Sequence, residues 1–462
     1  MAVALDRSVF EQTIDLVALR IPARKCTEFT KRFAGHIYHR PRVKPIVADA
    51  EAAPGAAATR LLLLSEAVSS LELAELPDEL RSYALAEAAV PVRYALQLGF
   101  EHLSAEQALR RVLPAGIEVP SSFESVGHVA HVNLREDQLP YKALIGKVLL
   151  EKNGPRIRSV VNKVESITNV SGPSGQDEKA KIFRVFPMEV LAGEDSLRTT
   201  VRENGARFEL DFRDVYWNSR LETEHKRIVD LLPADAVVAD AFAGIGPFAV
   251  PAAMHGIPVY ANDLNPRSHE FLQINVDLNK IGARVATYNL DARAFLRQLL
   301  APPAAPRDGV GEMSGGGGSG GTPTPLRFGF FTHVLMNLPA SALTFLDAFV
   351  GAFDRASWRA PLPMVHCYCF SKAADPCADV LQIAERTIGC KLPDATVHVV
   401  RDVSPHKLML CVQFRVPDSV AWAADRGASS LSDEESERAK RQRTVADGVG
   451  TGGEAAPREN TP

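Results

Sequence analysis

The run Asp240-Ala241-Phe242-Ala243-Gly244-Ile245-Gly246-Pro247-Phe248 constrains this chain more than any other feature. An apolar stretch, Ala236 to Ala239, leads into it, and a helix-forming stretch, Ala249 to Met254, follows. Strand, Gly-rich turn and helix start, in that order, predict an α/β domain of the doubly wound, Rossmann-like kind. Its ligand site lies at the carboxyl end of the first strand. The glycines let the backbone turn tightly and approach a ligand closely. Val259-Tyr260-Ala261-Asn262 reads as the second strand, and Asp263 after it offers a carboxylate to a ribose. The pattern implies a cofactor that contains adenosine.

A chain of 462 residues is too long for one average domain. Its content, 46% hydrophobic and 23% charged, is that of a soluble globular protein. Residues 1–117 read as an α-rich amino-terminal domain, with helices at Arg60 to Ala74, Asp78 to Glu87 and Val90 to Leu98. Residues 118–215 read as a small α+β domain. His128 to Leu134 alternates like a strand, Tyr141 to Leu150 has helical periodicity, and Ser159 to Ile167 and Phe208 to Asp211 are further strands. Residues 216–417 alternate strand and helix, which predicts a parallel or mixed sheet with helices on both faces. Strands are expected near Val237, Val259, Val285, Val334, Val365, Val397 and Leu408. Residues 301–325, rich in Pro, Gly and Ser, are expected to be a disordered surface insertion. Residues 418–462 are expected to be a disordered tail. Within it, Lys440-Arg441-Gln442-Arg443 reads either as a nuclear import signal or as a solvating run.

The formal net charge of −4 makes the whole chain no magnet for nucleic acid, so local charge matters more. Lys142, Lys147, Lys152, Arg156, Arg158, Lys163, Lys179, Lys181 and Arg184 form a candidate phosphate-binding region, or else a set of solvated helix faces. No apolar run is long enough to span a bilayer, so no membrane partner is expected. Six cysteines without a secretory signal suggest reduced thiols in an intracellular compartment. Cys367 and Cys369 face one way on a strand, which favours core packing over a metal pair, and no metal is expected.

Gly244-Ile245-Gly246-Pro247-Phe248-Ala249 fits the loose dinucleotide fingerprint. S-adenosylmethionine is the competing cofactor. Asp240, Phe242, Gly244, Gly246 and Phe248 match the D-x-F-x-G-x-G-x-F pattern common in methyltransferases of this fold. Asp291 adds a polar group after the third strand, in position for the adenine. Asn337-Leu338-Pro339 follows the strand Thr332 to Met336, where N-P-P-like motifs mark methyl transfer to a planar nitrogen. A hydride-transfer reading has no use for that tripeptide.

Before this domain lies Val215-Tyr216-Trp217-Asn218-Ser219-Arg220-Leu221-Glu222-Thr223-Glu224-His225-Lys226-Arg227. Upstream are Phe183-Arg184-Val185, Glu189-Val190-Leu191-Ala192-Gly193-Glu194 and Glu203-Asn204-Gly205. This order, continued by the Asp240 loop and Asn337-Leu338-Pro339, resembles the archaeal and eukaryotic tRNA (guanine-37-N1)-methyltransferase family. The resemblance covers roughly Ser122 to Pro417. It implies methylation of N1 of the guanine next to the anticodon, with S-adenosyl-L-methionine as donor. It puts the catalytic positions on Arg184, Glu224 and Asn337. His225, Asp263, Leu264, Asp291 and Ala292 fall on positions that line the methionine or adenosine pocket, beside Asp240, Phe242, Gly244 and Asn337. Arg220, Tyr216 and Pro339 fall near the substrate. A monomer that clasps one tRNA is implied, with the amino-terminal domain touching the tRNA body. Dual distribution between cytoplasm and mitochondrial matrix is also implied, although Asp6, Glu11 and Asp15 spoil a mitochondrial presequence.

Guanine N1 carries a proton at neutral pH, so its methylation needs a base, and Glu224 is the candidate. Partial burial would raise its pKa toward the working range. Arg184 would stabilise negative charge building on O6, and Asn337 would hold the guanine edge. Two other readings stay open on the residues: a methyltransferase of the same fold acting on another RNA nitrogen or on protein, and an RNA-binding adapter without catalysis.

Overall fold

The computed structural model describes residues 5–51, 58–120, 122–164, 183, 185, 187–301 and 327–423. They fall into two units, Met1–Val170 with Phe186–Leu197, and Ser171–Val185 with Arg198–Pro462. The expected insertion and most of the expected tail lie outside the described residues, as do Lys179, Lys181 and Arg184.

The first unit begins with β1 (Gln12–Pro22), α1 (Cys26–Arg32), β2 (Ile46–Ala48), β3 (Thr59–Leu63), α2 (Asp78–Ala86), β4 (Val90–Leu98) and α3 (Ala105–Val112). The strands form one antiparallel sheet in the order β2-β3-β1-β4. An α-rich segment was the wrong expectation here, and two of its three helices are strands. Leu61 to Leu64 form a run with no period because both faces of β3 are covered. Leu62 and Leu64 pack with Phe29 and Phe33, while Leu61 and Leu63 pack with Tyr38 and Leu96. A strand buried on both faces looks like a helix segment by periodicity alone. In β4, Val92, Tyr94, Leu96 and Leu98 recur every second residue on one face. The third helix, α2, stands where expected.

The unit continues with β5 (Glu124–Val126), β6 (Val129–Val132), α4 (Lys142–Asn153), β7 (Ser159–Lys163) and β8 (Met188–Gly193). The order is β5-β6-β7-β8, and α4 is the crossover between the parallel pair β6 and β7. Gly146 lets α4 lie directly on β8, since a Cβ there would meet the Leu191 Cβ at 2.6 Å. Several candidate phosphate contacts have protein partners. Lys142 pairs with Glu189 at 2.6 Å, Lys147 with Glu151 at 3.3 Å and Arg158 with Glu194 at 3.8 Å. The Lys152 ammonium lies 3.7 Å from the centre of the Phe100 ring.

The second unit opens with the hairpin β9 (Arg198–Glu203) and β10 (Ala206–Asp211), then α5 (Glu222–Leu231). Strands and helices alternate from there: β11 (Val238–Asp240), α6 (Ala249–Met254), β12 (Val259–Asn262), α7 (Pro266–Leu278), β13 (Val285–Tyr288), α8 (Ala292–Leu300) and β14 (His333–Met336). β15 (Met364–Ser371), α9 (Pro376–Ile388), β16 (Thr396–Ser404), β17 (Lys407–Arg415) and α10 (Asp418–Ala421) complete it. The seven expected strands make one mixed sheet in the order β13-β12-β11-β14-β15-β17-β16. The first five are parallel, and β17 runs antiparallel between β15 and β16. Cys367 and Cys369 are buried in the hydrophobic core of this sheet. Residues 418–423, read with the tail, instead begin with α10, whose Val420 and Ala421 are buried in the same core.

The strand order reverses between β11 and β14, and such a switch point opens a crevice at the carboxyl ends of the strands. Two buried asparagines brace it. The Asn262 amide donates to the carbonyls of Ala241 (3.1 Å) and Leu290 (3.0 Å) and accepts from Leu290 N–H (2.9 Å), which ties three strand ends together. On α7, Asn275 and Asn279 lie one turn apart and meet the free edge of β10. Asn275 accepts from Glu209 N–H (2.7 Å) and donates to the carbonyls of Glu209 and Ile245 (3.1 Å each). Asn279 makes the same pair with Arg207. One helix face thus stands in for a neighbouring strand and reaches the Gly-rich loop as well.

Asn275→Ala leaves those three backbone groups without their partner, at about 1–3 kcal/mol for each group that stays buried. The expected outcome is a clear fall in the urea midpoint of the second unit. Asn275→Asp should rescue little, because it lacks the donor.

Candidate active site

Gly244 and Gly246 both adopt the left-handed backbone, at φ +54° and +99°. At Gly246 the space is closed, since a Cβ would meet Val250 at 2.8 Å and Leu272 at 2.9 Å. At Gly244 a Cβ would meet nothing within 4 Å, so the loop leaves open room there. The Gly244 N–H donates to Asp263 Oδ2 (2.8 Å), and the Asn265 N–H donates to Asp263 Oδ1 (2.9 Å). The Asn289 amide donates to the carbonyls of Asp263 (2.7 Å) and Leu264 (3.0 Å), fixing the turn after β12. The Leu264 side chain is exposed, an apolar face beside that carboxylate.

Asp240 is wholly buried at the end of β11. Its Oδ1 accepts from Phe242 N–H at 3.3 Å, while Oδ2 has no partner. Burial pushes its carboxyl up to about 8, and the charge of Asp263 adds to the shift. Burial also raises Asp263, to about 6. Asn337, one residue past β14, likewise has a buried Oδ1 without a partner. The adjacent ends of β11 and β14 therefore hold two buried oxygens without a partner, next to a second costly carboxyl. Those oxygens fit a cationic ligand with N–H groups, as S-adenosylmethionine is, with its ammonium and its positively charged sulfonium.

Phe242 packs edge-on against Phe345 at 5.1 Å. Asp291 is exposed and caps α8, accepting from Arg293 N–H (2.9 Å) and Ala294 N–H (3.4 Å). The Ala292 side chain is buried in the core, so its offer to a ligand is a first-turn N–H, which has no partner within the helix.

The richest cluster centres on α5. Glu224 is only 6% exposed. Arg227, one turn along, donates Nε to Glu224 Oε2 and Nη2 to Oε1, both at 2.7 Å. The Tyr368 hydroxyl on β15 donates to Oε1, also at 2.7 Å. An ionised carboxylate has about four lone-pair sites. Oε1 is filled and Oε2 keeps one for a further proton donor. Bonding to Glu224 raises Arg227, which stays charged, and burial pushes the Tyr368 phenol well up. The next residue, His225, is also buried, with Nδ1 at 2.5 Å from Glu203 Oε1. A carboxylate only accepts, so Nδ1 is the donor of this bond. The Phe248 ring of the loop joins the two, at 4.7 Å from the His225 ring and 5.8 Å from Tyr368.

Register brings Asn337 to the same place. Met336 pairs with Cys367, and one further step sets Asn337 beside Tyr368. The Pro339 carbonyl accepts from Phe370 N–H at 3.1 Å, which holds the tripeptide on β15. Asn337, Pro339, Glu224 and the Gly-rich loop therefore converge. Tyr216 is 42% exposed and Arg220 is also exposed, whereas Trp217 is buried against Phe208 at 5.4 Å. Trp217 packs, and Tyr216 is the more exposed of the two. Arg184 lies outside the described residues. Sequence reasoning gave no role to Tyr368 or Arg227, the two partners of Glu224. A tyrosine inside the buried strand Val365 to Phe370 was the available signal.

The Asp240 shift has a sign that can be measured. The folded carboxyl keeps its proton to about pH 8, while the unfolded one ionises near 3.8. Between those values the folded state binds more protons, so this contribution to stability is lost as pH rises. Asp240→Asn removes that slope. In urea unfolding of the ligand-free protein, the variant should gain on the wild type between about pH 5 and about pH 8. An unchanged difference across that window would contradict the burial assigned to Asp240.

Comparison with known proteins agrees with this geometry. Residues 199–302 match the sequence model of the TRM5/TYW2 methyltransferase domain, and residues 105–196 match that of the TYW2 N-terminal domain. A Phytophthora infestans protein named tRNA (guanine(37)-N(1))-methyltransferase is 42% identical over 434 residues, which is 93% of this chain and 96% of that one. Relatives of the same name from Danio rerio and Homo sapiens are 41% and 38% identical, over 93% and 96% of this chain and 85% and 81% of theirs. Among solved structures, the complex of aTrm5 and tRNALeu aligns with a TM-score of 0.57 at 19% identity, covering 87% of this chain and all of that one. Trm5b from Pyrococcus abyssi aligns with a TM-score of 0.50 at 21% identity, covering 87% and 99%. These structural likenesses concern the fold. Identity at this level over nearly the whole length places the chain in the tRNA (guanine(37)-N(1))-methyltransferase family.

Proposed function

We propose that the protein methylates N1 of guanine 37 in tRNA, with S-adenosyl-L-methionine as methyl donor. The observation that carries the reading is the buried Glu224 carboxylate, held by three hydrogen bonds with one acceptor site left, beside a loop suited to a cationic adenosine ligand. The bound cofactor supplies a methyl group on a positively charged sulfur that leaves as a neutral thioether. Asp240 and Asn337 would hold it from the ends of β11 and β14, with Asp263 toward the ribose and Leu264 and the Ala292 N–H toward the adenine. His225 shapes the methionine end through Phe248.

This chain's own residues do the rest. Glu224 Oε2 accepts the N1 proton. Because Arg227 and Tyr368 occupy the other acceptor sites, the carboxylate cannot swing to a different partner. Orientation of this kind removes much of the entropic part of a barrier. Asn337 Oδ1 accepts from an N–H on the guanine edge. Arg184 is assigned to O6, where negative charge builds as the proton leaves. The target base must leave its stack, which is cheapest in a loop such as the anticodon loop, and the exposed Tyr216 ring offers a replacement surface. Arg220 and Pro339 are assigned to the substrate side of the site. The reading needs no metal, and among the described residues no group of His, Cys, Asp and Glu could hold one.

The test uses methyl-labelled cofactor and two tRNA transcripts that differ only by guanine or adenine at position 37. The guanine transcript alone should be labelled; equal labelling of both would sink the proposal. Glu224→Gln should slow first-turnover methyl transfer by about 10²–10⁴-fold. Its cofactor dissociation constant should stay close to that of the wild type. Loss of cofactor binding in that variant would mark Glu224 as structural.

A further inference from the structure

Once Glu224 has taken the N1 proton, the buried carboxylic acid must lose it before the next tRNA. We propose that His398 carries this proton from Glu224 to solvent and is a positioning and relay residue of the reaction. The inference rests on the methyl-transfer reading. His398 lies on β16, the edge strand of the sheet, opposite Cys411 of β17, which in turn lies opposite Tyr368 of β15. Its Nε2 is 3.6 Å from Glu224 Oε2, the oxygen that keeps a free acceptor site. That separation is longer than a hydrogen bond, so the transfer needs His398 to move toward Oε2. The His398 side chain is 42% exposed, against 6% for Glu224.

The alternatives around Glu224 fail one by one. Arg227 is a charged guanidinium with no lone pair to accept a proton. The Tyr368 hydroxyl is a donor, and burial holds its proton tightly. Burial does the same to the Cys411 thiol. Histidine is the side chain that ordinarily changes charge near neutral pH, and it has one nitrogen for each direction of transfer. The step balances. The N1–H bond breaks to Glu224, the N1–methyl bond forms as the sulfur–methyl bond breaks, and the bond's electron pair stays on sulfur. The proton then passes from Oε2 to His398 Nε2, and one leaves from Nδ1 to water.

The experiment is a rapid-quench time course with the full-length chain, excess tRNA and labelled cofactor. For His398→Ala, the first turnover should stay within about twofold of wild type while later turnovers slow by about tenfold or more. Added imidazole should restore the later turnovers and leave the first unchanged. His398→Gln keeps a hydrogen-bonding side chain but cannot relay, so it should be as slow as His398→Ala. Wild-type turnover in His398→Ala would overturn the relay. So would recovery in His398→Gln, an equal loss in the first turnover, or no response to imidazole. If the wild-type chain itself transfers no methyl group to guanine 37, the methyl-transfer reading falls instead.

Discussion

A buried carboxylate is tolerable only when its charge is met, and Glu224 is met by a guanidinium across both oxygens and by a tyrosine hydroxyl. Much of the second unit depends on that arrangement. Arg227 comes from the same helix and Tyr368 from β15, so α5 has to lie against the sheet for the charge to be neutralised. With α5 there, His225 reaches Glu203 at the end of β9, and the Phe248 ring is caught between His225 and Tyr368. The Gly-rich loop is thereby locked to the helix that carries Glu224. Removing Arg227 alone would leave the charge buried and unpaired, which is why such pairs resist piecemeal change.

The second costly feature is the pair of carboxyls at the switch point. Asp240 and Asp263 are both raised by burial, so in the free protein they oppose ionisation that a cationic ligand would favour. The fold gives up stability at neutral pH to keep an orphaned oxygen at the end of β11. Asn337 repeats the device with an uncharged group at the end of β14.

The alternating α/β half was legible because β11, β12, β13 and β15 are apolar and each is followed by a helix. All seven strands near Val237 to Leu408 stand where the pattern put them. The amino-terminal sheet was not legible, because the leucine run of β3 is buried on both faces and shows no period, and β4 mixes alanine and leucine into its alternation. At the site, Glu224, Asn337 and the loop could be picked out from motifs. Their partners could not, since Tyr368 is 144 residues from Glu224 and only the sheet brings them together. The same holds for charge: only the fold sets Glu189 beside Lys142 and Glu194 beside Arg158.

The central claim is that Glu224 works as a base because its partners aim it. Tyr368→Phe removes one hydrogen bond and almost no volume, so its single-turnover methyl-transfer rate on guanine-37 tRNA tests that claim most directly. The account predicts a rate about tenfold lower, the scale of one net hydrogen bond of about 1.4 kcal/mol, with unchanged dissociation constants for cofactor and tRNA. A wild-type rate would show that the carboxylate needs no aiming and would contradict the account.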